Sequence, residues 1–173
     1  MTIYSARRCV DNLPCCCEDS RPIMPMPPIP NVPTSAFAVY YALAPTDNAT
    51  PIAAGSAVAF PRGSASDFRA ITRMSDSSFN LVKPGAYLVM FNVNTEDADQ
   101  LVLSLNSTEL AYTLTGSETA GTQINGIAVV TVTQPNSTLS VINPSSSTSE
   151  VVITQNAGGT SPSSSHLVIV KLA

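Results

Sequence analysis

Charged residues are scarce in this sequence of 173 residues: Asp, Glu, Lys and Arg together make up 12% of it, where about 25% is usual. The net charge is −4, and the eight basic residues form no cluster of the kind that binds nucleic acid. We therefore exclude nucleic acid as a partner. A surface with so few charges suits a protein whose neighbours are copies of itself.

Long hydrophobic runs are also missing. No stretch of about 18 apolar residues occurs, so no transmembrane helix and no membrane partner are expected. The first residues contain no apolar stretch of signal-peptide length before their first charges. We expect synthesis in a cytosol without the usual apolar leader.

Groups that would converge in a catalytic site are absent too. The single histidine, His166, stands beside a serine run and is interpreted as a strand-edge residue rather than a base. The acidic residues at 96–99 suit a solvated turn better than a calcium site, the open alternative. Gly158 and Gly159 mark a turn, not a phosphate loop. The sequence predicts no enzyme, no metal site and no cofactor.

Glycine is absent from the first 54 residues, whereas residues 1–33 hold all four cysteines and seven of the fourteen prolines. Proline fixes φ and removes an amide donor, so residues 21–33 cannot form a helix or a central strand. They are predicted to be an extended connector within an N-terminal arm, residues 1–33, the alternative being a disordered tail. Its apolar side chains favour an arm that docks on a partner. The docking candidates are Ile3, Tyr4, Ile23, Met24, Met26, Ile29 and Val32.

From residue 34 to residue 173 the apolar residues recur with a period of two, which is typical of strands. The predicted strands cover residues 37–43, 56–60, 68–73, 79–82, 86–94, 100–105, 109–114, 123–133, 138–142, 150–154 and 166–172. Turn residues separate them, the serines at 145–149 and 163–165 are assigned to loops, and no helix is predicted. The pattern indicates one all-β antiparallel sandwich or barrel.

Several late strands are apolar on both faces. In the strand at 86–94, Tyr87, Val89, Phe91 and Val93 share one face, and the other face is also largely apolar. The outward face of an antiparallel sandwich is normally polar. We therefore expect other subunits to cover one sheet, the alternative being cover by loops or by the arm. The candidates for a trimer interface are Leu88, Met90, Val130, Val132, Val168, Val170 and Leu172.

Residues 79–91 resemble the second half of the signature of C1q/TNF-like jelly rolls. Phe79, Gly85, Tyr87 and Phe91 match it, while Val89 stands where the family usually has Phe. The resemblance implies a ten-stranded antiparallel jelly roll that forms a trimer, with the last strand near the three-fold axis.

The segments 101–106, 121–126, 139–143, 157–160 and 166–173 are similar to the C-terminal domains of BclA-type exosporium proteins of spore-forming Firmicutes. Residues 26–30, Met-Pro-Pro-Ile-Pro, resemble a Pro-rich leader element of those proteins, but their collagen-like stalk is missing. The resemblance implies a structural subunit of a spore-surface fibre or exosporium layer. Its expected partners are itself, as a homotrimer and then a head-to-tail fibre, and other exosporium or coat proteins. The alternative is a receptor- or carbohydrate-binding tip of a spore or phage fibre.

The four cysteines, Cys9, Cys15, Cys16 and Cys17, all lie in the arm, so any disulfide joins arm to arm. Interchain disulfides are the favoured interpretation. Zinc binding lacks the usual spacing and a nearby histidine, and lipidation is a further alternative. Cytosolic synthesis disfavours disulfides. A spore surface, which the resemblance implies, would be oxidised after its release from the mother cell.

Overall fold

The computed structural model describes residues 36–159 and 162–172. They form eleven strands and one short 3-10 turn, Ala111–Thr113, between β7 and β8. The strands are β1 (Phe37–Leu43), β2 (Arg62–Ala65), β3 (Ile71–Ser75), β4 (Ser78–Leu81), β5 (Gly85–Asn94), β6 (Gln100–Leu105), β7 (Thr108–Glu109), β8 (Thr115–Gly116), β9 (Gln123–Val132), β10 (Ser137–Ile142) and β11 (Ser163–Lys171). The arm, residues 1–33, lies outside the described residues.

The strands form two antiparallel sheets. The first sheet has the order β2-β1-β11-β5-β9, and the second has the order β3-β4-β10-β6-β7 with β8 also paired to β6. The first and last strands are therefore neighbours in one sheet, although more than a hundred residues separate them along the chain. This order places both ends of the described domain together: the Lys171 N–H donates to the Ala36 carbonyl at 2.8 Å.

The core lies between the sheets and is filled by alternate residues of each strand. Tyr87, Val89, Phe91 and Val93 of β5 are all less than 5% exposed, as the sequence period predicts. Aromatic rings connect the two sheets, since Tyr40 of β1 stacks on Phe79 of β4 with 4.4 Å between ring centroids.

Each of the four residues of the family signature has a different structural role. The side chain of Phe79 is fully buried in the core. Gly85 has a φ of +145°, a backbone conformation that residues other than glycine rarely adopt. Tyr87 donates its hydroxyl proton to the Lys83 carbonyl at 2.6 Å, closing the turn before β5. Phe91 lies opposite Gly126 of β9, where an added Cβ would be 2.1 Å from the ring.

Three predicted strands are wrong or reduced to single bridges. Residues 56–60 contribute one bridge, between Ala57 and Ile142. Residues 150–154 contribute bridges only at Val151 and Ile153. Residues 109–114 bend into the 3-10 turn because the Thr113 hydroxyl donates to the Leu110 carbonyl at 2.8 Å and accepts the Leu103 N–H at 2.9 Å. These hydrogen bonds take the place of the strand pairing that was predicted for residues 109–114.

The serines at 163–165 were predicted to be a loop and instead begin β11. Ser164 and Ser165 are fully buried. The ladder with β1 extends to Ser163 after a register shift next to Ala42, and there the hydroxyls of Ser163 and Ser164 donate to the Ala42 carbonyl at 3.2 and 3.5 Å. Small side chains fit there because Ser165 pairs with Ala42.

None of the helical structure in the described residues is long and apolar enough to cross a membrane.

Candidate functional site

The outer face of the first sheet carries two adjacent rows of apolar side chains. One row runs across four strands through Val39, Val168, Met90 and Ile127, and the next through Phe37, Val170, Leu88 and Val129. Leu172, just beyond β11, lies at the same end. We name these nine residues the apolar face.

The apolar face is exposed in the single chain. Ile127 is 75% exposed, and Phe37, Val129 and Leu172 are about half exposed. Soluble monomers seldom leave so many large apolar side chains contiguous at the surface, and such patches mark interaction sites. The geometry therefore favours a partner that covers this sheet.

A polar row ends the apolar face on the side away from Ala36 and Leu172. It contains Tyr41, His166, Asn92 and Asn125, one from each of four neighbouring strands. The His166 ring stacks on Tyr41 with 6.1 Å between centroids. The Asn92 side-chain amide donates to the Asn125 side-chain carbonyl at 2.6 Å. His166 is thus part of a polar margin and lies inside the central strand β11, not at a strand edge as predicted.

The second sheet presents a different outer surface. Thr72, Asn80 and Thr138 form a row across β3, β4 and β10, and Ser140 pairs with Ser104 of β6. Thr72, Asn80 and Thr138 suit contact with water, whereas Ser104 is only 6% exposed. These rows are polar, unlike the two apolar rows of the first sheet.

The β9 edge of the first sheet is partly covered by the segment around the 3-10 turn. The Tyr112 hydroxyl donates to the Val129 carbonyl and the Thr115 hydroxyl to the Asn125 carbonyl, each at 3.3 Å. Tyr112 is 67% exposed and Leu114 is 48% exposed. The apolar surface therefore continues around this edge.

Comparison with known proteins identifies the fold. No protein-family model matches the chain, and no curated protein matches it. Among solved structures, murine APRIL at pH 8.5 superposes with a TM-score of 0.53 at 14% identity, covering 80% of this chain and 99% of that one. The globular domain of the zebrafish complement 1qA protein gives 0.48 at 15% identity over 79% and 92% of the two chains. The chain has the C1q/TNF-like jelly-roll fold.

The fold class predicted from residues 79–91 is thus confirmed, with nine strands of four residues or more and two of two residues. At these identities the likeness concerns the fold alone. The similarity to BclA-type exosporium proteins stays a prediction.

Five of the seven predicted interface residues lie on the apolar face of the jelly roll: Leu88, Met90, Val168, Val170 and Leu172. The prediction for Val130 and Val132 is wrong, because both are at most 2% exposed and pack in the core. The outward residues of β9 are Ile127 and Val129. Gln123 and Asn125 are polar and lie on the same face of β9 as Ile127 and Val129. Their polarity could have indicated from the sequence that this face points outward.

Sequence reasoning also missed Phe37, Val39 and Tyr112 as surface apolar residues of the jelly roll. The first two alternate with buried Ala38 and Tyr40, so the period of two already contained that assignment.

The remaining predicted site residues fall outside the described part of the chain and stay predictions. They are the cysteines Cys9, Cys15, Cys16 and Cys17, and the docking residues Ile3, Tyr4, Ile23, Met24, Met26, Ile29 and Val32.

Proposed function

We propose that this chain is a structural subunit that trimerises through its apolar face and is joined by its N-terminal arm into a spore-surface fibre or exosporium layer. The observation that carries the trimer is the apolar face itself. Trimerisation is also what the C1q/TNF-like resemblance implies. The spore surface is supported by the similarity of residues 36–173 to BclA-type domains.

The gain from covering the apolar face is sizeable. Five of its side chains, Phe37, Val39, Ile127, Val129 and Leu172, are between 39% and 75% exposed. Full burial of one such side chain stabilises by about 1.5–3 kcal/mol, so covering the exposed half contributes roughly 1 kcal/mol each. The sum, roughly 5 kcal/mol per subunit, works against the entropy lost on association.

A closed trimer needs two different surfaces, since each subunit contacts one neighbour with one patch and the other neighbour with another. The flat rows of the apolar face supply one patch. The β9 edge, where the exposed Tyr112 donates to the Val129 carbonyl and Leu114 is also exposed, supplies the second. The two patches adjoin on one side of the domain, which suits packing around a common axis.

The arm supplies the link between trimers in this proposal. Arms that leave three adjacent domains bring twelve cysteines together, enough for interchain disulfides without a remainder. The apolar residues at 3–4 and 23–32 dock between the jelly rolls of the neighbouring trimer. Deleting residues 1–20 should leave soluble trimers that form no fibres.

The trimer is tested by light scattering on purified protein. We expect a trimer for the natural chain and a monomer for Ile127→Asp, because a charge replaces an apolar side chain that is 75% exposed on the apolar face. The matched control is Met74→Asp in β3 of the second sheet, where the methionine is 63% exposed; it should remain a trimer. A monomeric natural chain contradicts the proposal. A discrete trimer that never forms fibres favours the alternative of a fibre tip.

A further inference from the structure

A cleft of about 710 Å³ opens at the end of the jelly roll away from Ala36 and Leu172. Three loops form it. The β5–β6 loop contributes Asp99, the residues after β8 contribute Ser117 and Glu118, and the loop after β10 contributes 146–149. The Ser117 N–H donates to the Asp99 backbone carbonyl at 3.0 Å, which holds two of these loops together.

The cleft is acidic, and none of the residues that line it is basic. Residues 84–170 contain six acidic residues and neither lysine nor arginine. Asp99 and Glu118 line the cleft, while Asp97 and Glu150 are next to lining residues in the chain. The electrostatic potential in the cleft is therefore negative and attracts a cation.

Asp99 points to a missing cationic partner. It is 5% exposed, and its Oδ2 atom is buried without a hydrogen-bond partner among the described residues. A buried charged group of this kind is costly unless it is paired. Burial and, second, the nearby Asp97 carboxylate raise the pKa of Asp99, while a backbone hydrogen bond from Val152 lowers it.

A side-chain guanidinium fits this cleft better than a metal ion. No group of three His, Cys, Asp or Glu side chains in the described parts of the chain is arranged to hold a metal. The cleft is far larger than an ion, and guanidinium groups pair with carboxylates through two parallel hydrogen bonds.

The chain has a suitable pair of arginines. Two of the arginines within the domain are already engaged: Arg62 binds Asp47 at 2.7 Å, and Arg73 donates to the Pro61 and Gly63 carbonyls. Arg7 and Arg8 stand side by side in the arm. Arg8 precedes Ala36 by 28 residues, which span at most roughly 90 Å when extended. The ten-residue strand β5 is only roughly 33 Å long, so the arm is long enough to reach another molecule.

We propose that the Asp99–Glu118 cleft is the receptor for Arg7 and Arg8 of another copy of this chain. The arm enters at Ala36, at the end of the domain opposite the cleft, so such contacts run head to tail. This inference rests on the proposed role of the arm in joining trimers and specifies where the arm binds.

The test is carbodiimide crosslinking of the full chain, which joins an amine to a carboxylate in contact with it. In Arg8→Lys, prepared as a mixture of ¹⁴N- and ¹⁵N-labelled protein, mass spectrometry should find crosslinks from position 8 to Asp99 or Glu118 that contain both isotopes. If every crosslinked pair of peptides contains only one isotope, the contact lies within one chain and the inference is overturned. Crosslinks from position 8 that fall only on other carboxylates overturn it too.

Fibre formation by the full chain supplies a second readout. Glu118→Gln combined with Asp99→Asn should raise the protein concentration needed for fibres at least tenfold, and Glu150→Gln, outside the cleft lining, should not change it. Glu118→Lys should restore fibres to Arg8→Glu. If the double variant assembles normally, the cleft is not the receptor although arm-driven assembly stands. If the natural chain forms no fibres, the proposed function fails instead.

Discussion

At the scale of single residues, Asp99 links stability to pH. Its folded-state pKa lies above the value of about 3.9 typical of an unfolded chain, because burial disfavours the carboxylate. The folded state then binds the proton more tightly than the unfolded state. Stability is therefore greatest below the unfolded pKa and falls as the pH rises through the folded pKa.

Asp99→Asn should therefore stabilise the domain at pH 7 and leave its stability unchanged near pH 3. We expect a melting temperature a few degrees higher at pH 7, measured by calorimetry on the chain lacking residues 1–20, whose cleft is free of the arm. Glu150→Gln, on the exposed loop beside the cleft, is the matched control and should show no such gain. An equal gain for Asp99→Asn at both pH values would show that ionisation of Asp99 is not the cause.

At the scale of elements, β9 shows what the period of two can and cannot establish. The strand was predicted at 123–133 and is found at Gln123–Val132. Its faces were assigned wrongly at Val130 and Val132, since apolar residues occupy both parities from residue 127 onward. The polar residues Gln123 and Asn125 earlier in the strand share the exposed face with Ile127 and Val129, and on the opposite, inward face Gly126 lies against the Phe91 ring of β5.

That contact predicts the effect of Gly126→Ala. The added Cβ would meet three carbons of the Phe91 ring within 2.8 Å, so the ring must move within a packed core. Overpacking of this kind costs about 1–3 kcal/mol, measurable as a lower free energy of unfolding in urea. Adding Phe91→Leu should recover part of the loss. Gly121→Ala is the control: its Cβ meets nothing within 4 Å, so only its φ of +67° contributes strain. If Gly126→Ala and Gly121→Ala lower the free energy of unfolding equally, and Phe91→Leu recovers none of the loss, the clash with the Phe91 ring is not the cause.

At the scale of the whole molecule, the fold class and five of the nine residues of the apolar face were accessible from the sequence. Strand alternation and the signature at 79–91 indicated the jelly roll, and the doubly apolar strands indicated Leu88, Met90, Val168 and Val170. The pairing of β1 with β11 and the acidic cleft were not accessible. Each is assembled from segments far apart in the chain, and no local pattern records which distant segments meet.

The proposed assembly contains two kinds of association at this scale, one held by packing of the apolar face and one by the arm cysteines. The domain from residue 34 onward contains no cysteine, so a reductant has no bond to break within it or across its apolar face. In reductant, fibres should lose their resistance to denaturant, because the arms of each trimer are no longer bonded to one another. The species released should scatter light with three times the 18.1 kDa mass of one chain. Replacing Cys9, Cys15, Cys16 and Cys17 together by serine should give the same result without reductant. If reductant instead releases single chains under native conditions, the apolar face does not suffice to hold the trimer, and the arms must supply the missing stability.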